Sequence, residues 1–588
     1  MSTGRFLDAV AAVVLVFTLG ITSALLYFGQ QEDVVEAMAP VREFPYGEVF
    51  DRFQVMEVEI TVSEEDWADM LANPLAEEYK RCDVTVNGTV YTDAAIRTKG
   101  NTSLTQVASS DSDRYSFKIE FDHYDKNKSM DGLDKLVLNN LFCDAAYMKE
   151  YIAYDIFRFI GVETPYYAFA DITVNGEEAG CYLALEAMED SFVSRVYGGE
   201  GQLYKPESTM AGGPAGFGAE GGEKPPEEWD GEMPGGMEAP EEWDGEAPGG
   251  MEPPEKWSGE APGGMEGPEE WSGEKPGRMD APEKLDGEAP DGMGHGRMGG
   301  LGGGNGGFGA GAGSDLVYTD DDRDSYSDIF DNASFDTTEE DEQRVIKALQ
   351  KLNTGEELER YLDVDACLRY FAAQTFIVNL DSYYSNLKHN YYLYESGGRL
   401  TILPWDLNLA FGGFQCRNAT EAVNSAVDTP MDGLEEERPL FSKLMEVEEY
   451  KERYHGYLTE IAEGYVESGQ FSEVLSAVQG VISPYVEKDA TAFYSYREFV
   501  QAAGTLEAFV LLRAESVEKQ LAGEIPSVSG DRSQDTVLVD ASGIDLSTMG
   551  MQGGDGAGGK GSRDGNMFGG ERISGSVTDG IFNSIQVK

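Results

Sequence analysis

NLDSYYSNLKHNYYLYESGGRLTILPWDLNLAFGG, residues 379–413, reads as a loop, a strand, a turn at Gly397–Gly398, a second strand and a sharp stop at Pro404–Trp405–Asp406. HNYYLY is rich in aromatics and RLTIL alternates, the pattern of two paired strands. Asp381 and Asn386 precede the first strand, and Asp406 directly follows the second. Three oxygen ligands would then meet at one end of a hairpin. Few hard oxygens, with the rest of an octahedron left to water and phosphate, is what a Mg²⁺–phosphate site needs. An acid at a strand end is ordinarily a cap or a turn residue. Here Leu380 and Leu403–Pro404–Trp405 set both carboxylates against apolar neighbours, where a carboxylate requires a partner or a metal.

Working outward, DVDACLRYFAAQTFIVNL runs directly into Asp381 and is apolar nearly all round after Leu368, which predicts a buried central helix. EEDEQRVIKALQKL predicts another before it. Downstream, helices are expected near 440–445, 449–465 and 506–521. On the amino-terminal side VMEVEITV alternates as a strand, and Ser63-Glu-Glu-Asp opens a short helix. A hairpin turning at Asn87–Gly88 delivers Arg97-Thr-Lys99-Gly-Asn-Thr-Ser, a basic, hydroxyl-rich loop able to hold phosphate through backbone N–H groups. YSFKIEFD places Ser116, Lys118 and Glu120 opposite Phe117, Ile119 and Phe121; if that polar face roofs a cleft, Lys118 pairs with phosphate. A long amphipathic helix is expected from Asp144 to Gly161, with Glu150 in its first half as a partner for a strand lysine. A further hairpin at Asn175–Gly176 ends at Glu186, the edge of a small lobe leading to a hinge.

The 588 residues carry a formal charge of −64, and no basic stripe is present to track nucleic acid, which excludes that class of partner. Five scattered cysteines without a CxxC predict buried free thiols, and four separated histidines give no zinc signature. Residues 7–28 are long and apolar enough to span a bilayer. Arg5 lies before them and Glu32, Asp33 and Glu36 after, so the expected topology is a retained single-pass cell-membrane anchor with the bulk of the chain outside the cytoplasm. A linker follows over 29–52. Residues 206–315 are Gly-, Pro- and Glu-rich and hold five 14-residue repeats (226–295), beginning at Pro226, Pro240, Pro254, Pro268 and Pro282. Such a composition cannot bury a core and reads as disordered. Its regularly spaced tryptophans are candidate weak, multivalent docking points for an envelope or matrix partner. A folded domain is thus expected over 53–205 and 316–524, split by the insertion, with a disordered tail over 525–588.

RTKGNTSL, YSFKIEFD, KLVLNN…MKEYIAYDIFRFIGVETP, VNGEEAGCYLALE, LDSYYSNLKHNYYLY and ILPWDLNLAFGG resemble, in that order, the blocks of the spore coat protein H (CotH) kinase family. The pairing of HNYYLY with ILPWD is the specific part. The resemblance implies an α+β, two-lobed, atypical protein-kinase-like fold that transfers phosphate from ATP to Ser/Thr of a protein substrate, using Mg²⁺ or Mn²⁺. It implies Asp381 as the catalytic acid and Asp406 as the metal ligand, with Asn386 or Asn390 as the second ligand. Lys118 matches the strand lysine and Glu150 its helix partner, while Arg97, Lys99 and Glu186 are the remaining candidates for nucleotide contacts. The chain departs from ordinary protein kinases in having neither their Gly-rich loop nor an H-R-D triplet. A non-catalytic surface scaffold built on the same fold and the Trp repeats is the alternative; the presence of Asp381, Asn386 and Asp406 together favours the enzyme.

Overall fold

Strict alternation sets the architecture of the amino-terminal part. The computed structural model describes residues 44–207, 313–431 and 433–550. The apolar stretch 7–28, the tandem repeats and the chain beyond 550 lie outside them. In β1 (Met56–Val62) every second residue is buried, from Met56 to Val62, the signature of a strand with one face on a core. Ser63 then accepts the Asp66 N–H and caps the helix Glu64–Ala72.

Six more strands follow: β2 (Lys80–Val86), β3 (Thr89–Lys99), β4 (Ser116–Glu120), β5 (Lys135–Asn139), β6 (Tyr167–Val174) and β7 (Glu177–Glu186). They close as a barrel in the order β1-β2-β3-β4-β5-β7-β6, sealed by parallel pairing of β6 with β1. The two-residue turns form as the sequence predicts. Asn87 and Gly88, and likewise Asn175 and Gly176, all take positive φ, which a tight hairpin matching the strand twist requires. Ile96, Phe117, Ile119, Leu136 and Leu138 fill the interior. The opposite face of the β5–β6–β7 wall, with Val137, Phe169 and Leu185, belongs to a second and larger core shared with the helices.

That second core surrounds a three-stranded sheet, ordered β10-β9-β8, made of β8 (Gln202–Tyr204), β9 (Tyr391–Ser396) and β10 (Arg399–Pro404). β8 precedes the insertion and pairs antiparallel with β9 beyond it, Gln202 opposite Glu395. The two halves of the domain therefore share one sheet. The helix Val364–Phe376 is buried on most of its circumference, as its sequence demands. Helices Glu448–Thr459 and Tyr496–Leu521 pack against it, and Glu339–Thr354 and Gln470–Lys488 join the same core; complete capping boxes open Glu339–Thr354 and Tyr496–Leu521.

The structure departs from the sequence reading at several points, including the last long helix, which starts at Tyr496 rather than near 506. The expected helix from Asp144 begins at Lys149, because Leu141, Cys143 and Tyr147 hold left-handed backbone and Asp144 spends its carboxylate on the Lys149 N–H at 2.9 Å. The helix Gln470–Lys488 was masked in the sequence by Gly480 and the internal Pro484, although Phe471, Leu475, Val478, Ile482 and Val486 form its buried stripe. The disordered tail expected from Ile525 does not begin there: Ile525, Val539, Ala541, Leu546 and Met549 are all buried. All five cysteines are free, and all but the half-buried Cys416 are buried. The architecture is mixed α+β, and the described residues belong to one contact unit. Among them no helix is long and apolar enough to cross a membrane.

Candidate active site

Pairing of Pro404 with Tyr391 places Asn390 and Trp405 side by side at one end of the β9–β10 hairpin. The loops carrying Asp381 and Asp406 therefore leave the sheet together. Both are held in uncommon conformations: Lys388, Asn390 and Asp406 all have φ between +50° and +60°, costing of order 1–3 kcal/mol each, a pattern that clusters at functional sites. Val378, a β-branched residue, is likewise left-handed at φ 50°. Its carbonyl accepts the Gly412 N–H at 3.2 Å, and Ile377 accepts that of Phe411 at 2.6 Å. The chain after Asp406 is thereby stitched to the chain before Asp381. Arg438, 1% exposed, secures the same loop by donating to the carbonyl oxygens of Tyr383, at 2.8 Å, and Ser385.

Asp381 is buried, and both carboxylate oxygens are engaged. His389 Nε2 lies 2.7 Å from Oδ1, and Asn390 Nδ2 donates to Oδ2 at 3.0 Å. Of the two candidate amides only Asn390 lines the cavity; Asn386 is exposed and lies outside it. With Nδ2 committed to Asp381, the Asn390 oxygen is the atom left for a cation. His389 was not anticipated. Its signal is its place next to Asn390 at the start of HNYYLY, but a lone histidine carries little weight in a sequence.

The barrel supplies the opposite wall. β3 and β4 pair Arg97 with Lys118 and Lys99 with Ser116, and all four line the cavity, whereas Glu120 of the same predicted polar face does not. Its lysines divide the work differently from the expectation. Lys118 donates to Glu189 at 2.6 Å, and Lys135 donates to the other oxygen of the same carboxylate. Lys99 instead reaches Asn139 Oδ1 at 3.0 Å, and Asn139 Nδ2 reaches Glu150 Oε2 at 2.9 Å. The expected Lys118–Glu150 pair is thus replaced by a Lys99–Asn139–Glu150 chain. The cause is register: Lys99 sits two rungs farther along the ladder than Lys118, about 7 Å along the strand, at the end facing the Glu150 helix.

Glu150 is fully buried, and its Oε1 has no hydrogen-bond partner among the described residues. Burial first, then the nearby Asp406, pushes its carboxyl up to about 8. Burial pushes the Lys99 ammonium down, opposed by the charges of Asp406 and Glu150. The Asp406 carboxyl is pushed up by burial, opposed by Lys99 and reinforced by Asp381. A lysine pushed down beside two carboxyls pushed up marks a site prepared for a further charged group.

Two predicted nucleotide contacts make bonds within the protein, and one of them lies outside the cavity. Arg97 lies on the cavity wall with its guanidinium on Glu77 and on the Thr98 carbonyl. Glu186 is outside the cavity, fully buried, and accepts from Arg195 at 2.6 Å, Tyr46 at 2.7 Å and the Tyr166 N–H at 2.9 Å. Its successors Ala187, Met188 and Glu189 do line the cavity.

The cavity measures ≈ 300 Å³ and gathers Lys99, Lys118, Glu150, Lys205, Asp381 and Asp406 between barrel and hairpin. Among the described residues no group of three or more His, Cys, Asp or Glu side chains is assembled to hold a metal. An Asp–Asn pair completed by phosphate and water does not need one, and the orphaned Glu150 oxygen beside Asp406 fits a site awaiting a polar ligand.

A family model described as CotH kinase protein matches residues 96–234 and 300–517. Every residue lining the cavity except Glu77 falls within these segments. Among curated proteins none matches the chain.

Proposed function

Because the chain belongs to the CotH kinase protein family, we propose that it is a metal-dependent protein kinase that transfers the γ-phosphate of ATP to Ser or Thr of a protein substrate. The observation that carries this reading is the convergence of Lys99, Glu150, Asp381 and Asp406 on one cavity. Barrel and hairpin would act as the two lobes of a reduced kinase.

Asp381 accepts the hydrogen bond of the substrate hydroxyl and aims it; His389 and Asn390 fix the carboxylate against rotation. Lys99 offers the ammonium for the phosphates, and Asn139 and Glu150 hold it in place. Anionic phosphate restores the proton affinity that burial removes from Lys99, so charge and binding reinforce each other. Lys205, which also acts on Asp406, adds a second cation to the same wall. Mg²⁺ or Mn²⁺ held by Asp406 and Asn390 would neutralise charge on the transferring phosphoryl group.

The full chain incubated with γ-labelled ATP, Mg²⁺ or Mn²⁺ and casein or histone is expected to label the acceptor, and Asp406→Ala to abolish the label. No label, together with no metal-dependent nucleotide binding by calorimetry, would favour a binding module instead. The reading extends to the membrane anchor at 7–28 with the domain outside the cytoplasm, which protease shaving of intact cells tests.

A further inference from the structure

The family match ends at residue 517, yet the described residues continue to Gly550. Its course from Ile525 is pinned repeatedly. Ser527 donates to Asp428 at 2.8 Å, and Val539 exchanges hydrogen bonds with the Asn424 side chain at 3.0 and 2.8 Å. Ala541 N–H reaches Thr420 Oγ1 at 3.2 Å. The segment then reaches the two stretches of chain that lead into the cavity, one after Asp406 and one before Glu150.

On one side Leu546 packs on Gly412, six residues after Asp406; a Cβ at Gly412 would stand 3.4 Å from Leu546 Cδ1. On the other side the Met549 carbonyl accepts the Ala145 N–H at 3.0 Å. The Gly550 carbonyl accepts from Lys149 Nζ at 2.9 Å, and the same ammonium donates to the Cys143 carbonyl at 2.7 Å. Lys149 is fully buried and immediately precedes Glu150. The stretch it closes is strained: Leu141, Cys143 and Tyr147 all have φ of 61–63°, which persists only when the surroundings over-determine it.

We propose that residues 525–550 form a clamp that sets the relative position of Glu150 and Asp406, with Lys149 and Gly550 as its latch. Lys149 is a positioning residue: it faces backbone carbonyls, while Glu150, one residue on, faces the cavity. The latch determines where the helix Lys149–Phe159 begins, and Leu546 limits how far the Asp406 loop moves from it. The consequence for turnover rests on the phosphoryl-transfer reading; the positioning does not.

Hydrogen–deuterium exchange on the full chain, without nucleotide, tests it. Lys149→Met breaks the latch from the helix side and Leu546→Ala loosens the clamp from the other. Gly543→Ala, with nothing within 4 Å of the added methyl, is the control on the same segment. Both test variants are expected to raise exchange about tenfold or more in 141–150 and in 407–413, leaving β1 and β2 protected. Unchanged exchange in both stretches, or an equal rise in β1 and β2, would overturn the clamp. In a chain that transfers phosphate, Lys149→Met should lower kcat about tenfold with KM for ATP little changed, since misplacement of this kind acts on the aligned state. An unaltered kcat beside a loosened 141–150 would sever the clamp from the site.

Discussion

At Asn390 the choice between two candidate amides becomes a matter of contact. Its side chain is bonded to Asp381, whereas Asn386 faces solvent. Asn390→Ala is expected to lower kcat by about 10²-fold or more, since it removes both the proposed cation ligand and a support of Asp381. Asn386→Ala should leave kcat within about twofold; matched steady-state rates check both. Asp381 and Asp406 were legible because apolar neighbours flanked carboxylates at strand ends. The partner of Glu150 was not, because it depends on which rung of the β3–β4 ladder faces the helix, and Asn139 intervenes between them. Lys118 reads as the partner of Glu150 because its face was recognised and its register was not; the structure pairs it with Glu189.

Among the elements, hairpins and capped helices followed their local chemistry. Asn–Gly pairs gave their turns and Ser63 its cap, whereas Ser495 caps the last long helix well before the start expected near 506. What local chemistry could not show was the course of 525–550, whose few apolar residues stand among glycines, serines and aspartates and declare themselves only against a tertiary surface. Two predictions belong here. Arg513 is fully buried and donates to the carbonyls of Thr375, Phe376, Val423 and Ser425, tying the end of the central helix to the loop beyond the site. Arg513→Met should cost about 2–4 kcal/mol in urea unfolding, because those carbonyls lose their donor.

Asp428 anchors the start of the clamp. Burial alone would raise its carboxyl, but hydrogen bonds from His455, Lys451 and Ser527 overcome that and hold it at about 2. A carboxyl depressed by folding stabilises the fold above its unfolded value near pH 3.9, and that stability is lost as pH falls through the folded value. Asp428→Asn should therefore lower stability by about 1–3 kcal/mol at pH 7. The gap to the parent should close between about pH 4 and pH 2. A gap that stays constant over that window would contradict the assignment.

For the whole molecule, the β8–β9 pairing explains how one domain tolerates a long interruption. The strands on either side of the insertion are neighbours in one sheet, and loop-closure cost rises only slowly with length. Deleting 226–295 should change unfolding free energy by less than about 1 kcal/mol. The site, by contrast, needs the entire span. Barrel, hairpin and carboxy-terminal clamp each contribute a wall or a brace, which is why spacing along the chain indicated the carboxylates but not their counter-ions. The most direct test of the account is to compare Lys99→Met and Lys118→Met for labelled phosphate transfer, with ATP varied below and above KM. With Lys99 as the phosphate lysine, Lys99→Met should lose about 10²-fold or more in kcat/KM and Lys118→Met less than about tenfold. The reverse order would contradict the site as built here and return that role to Lys118.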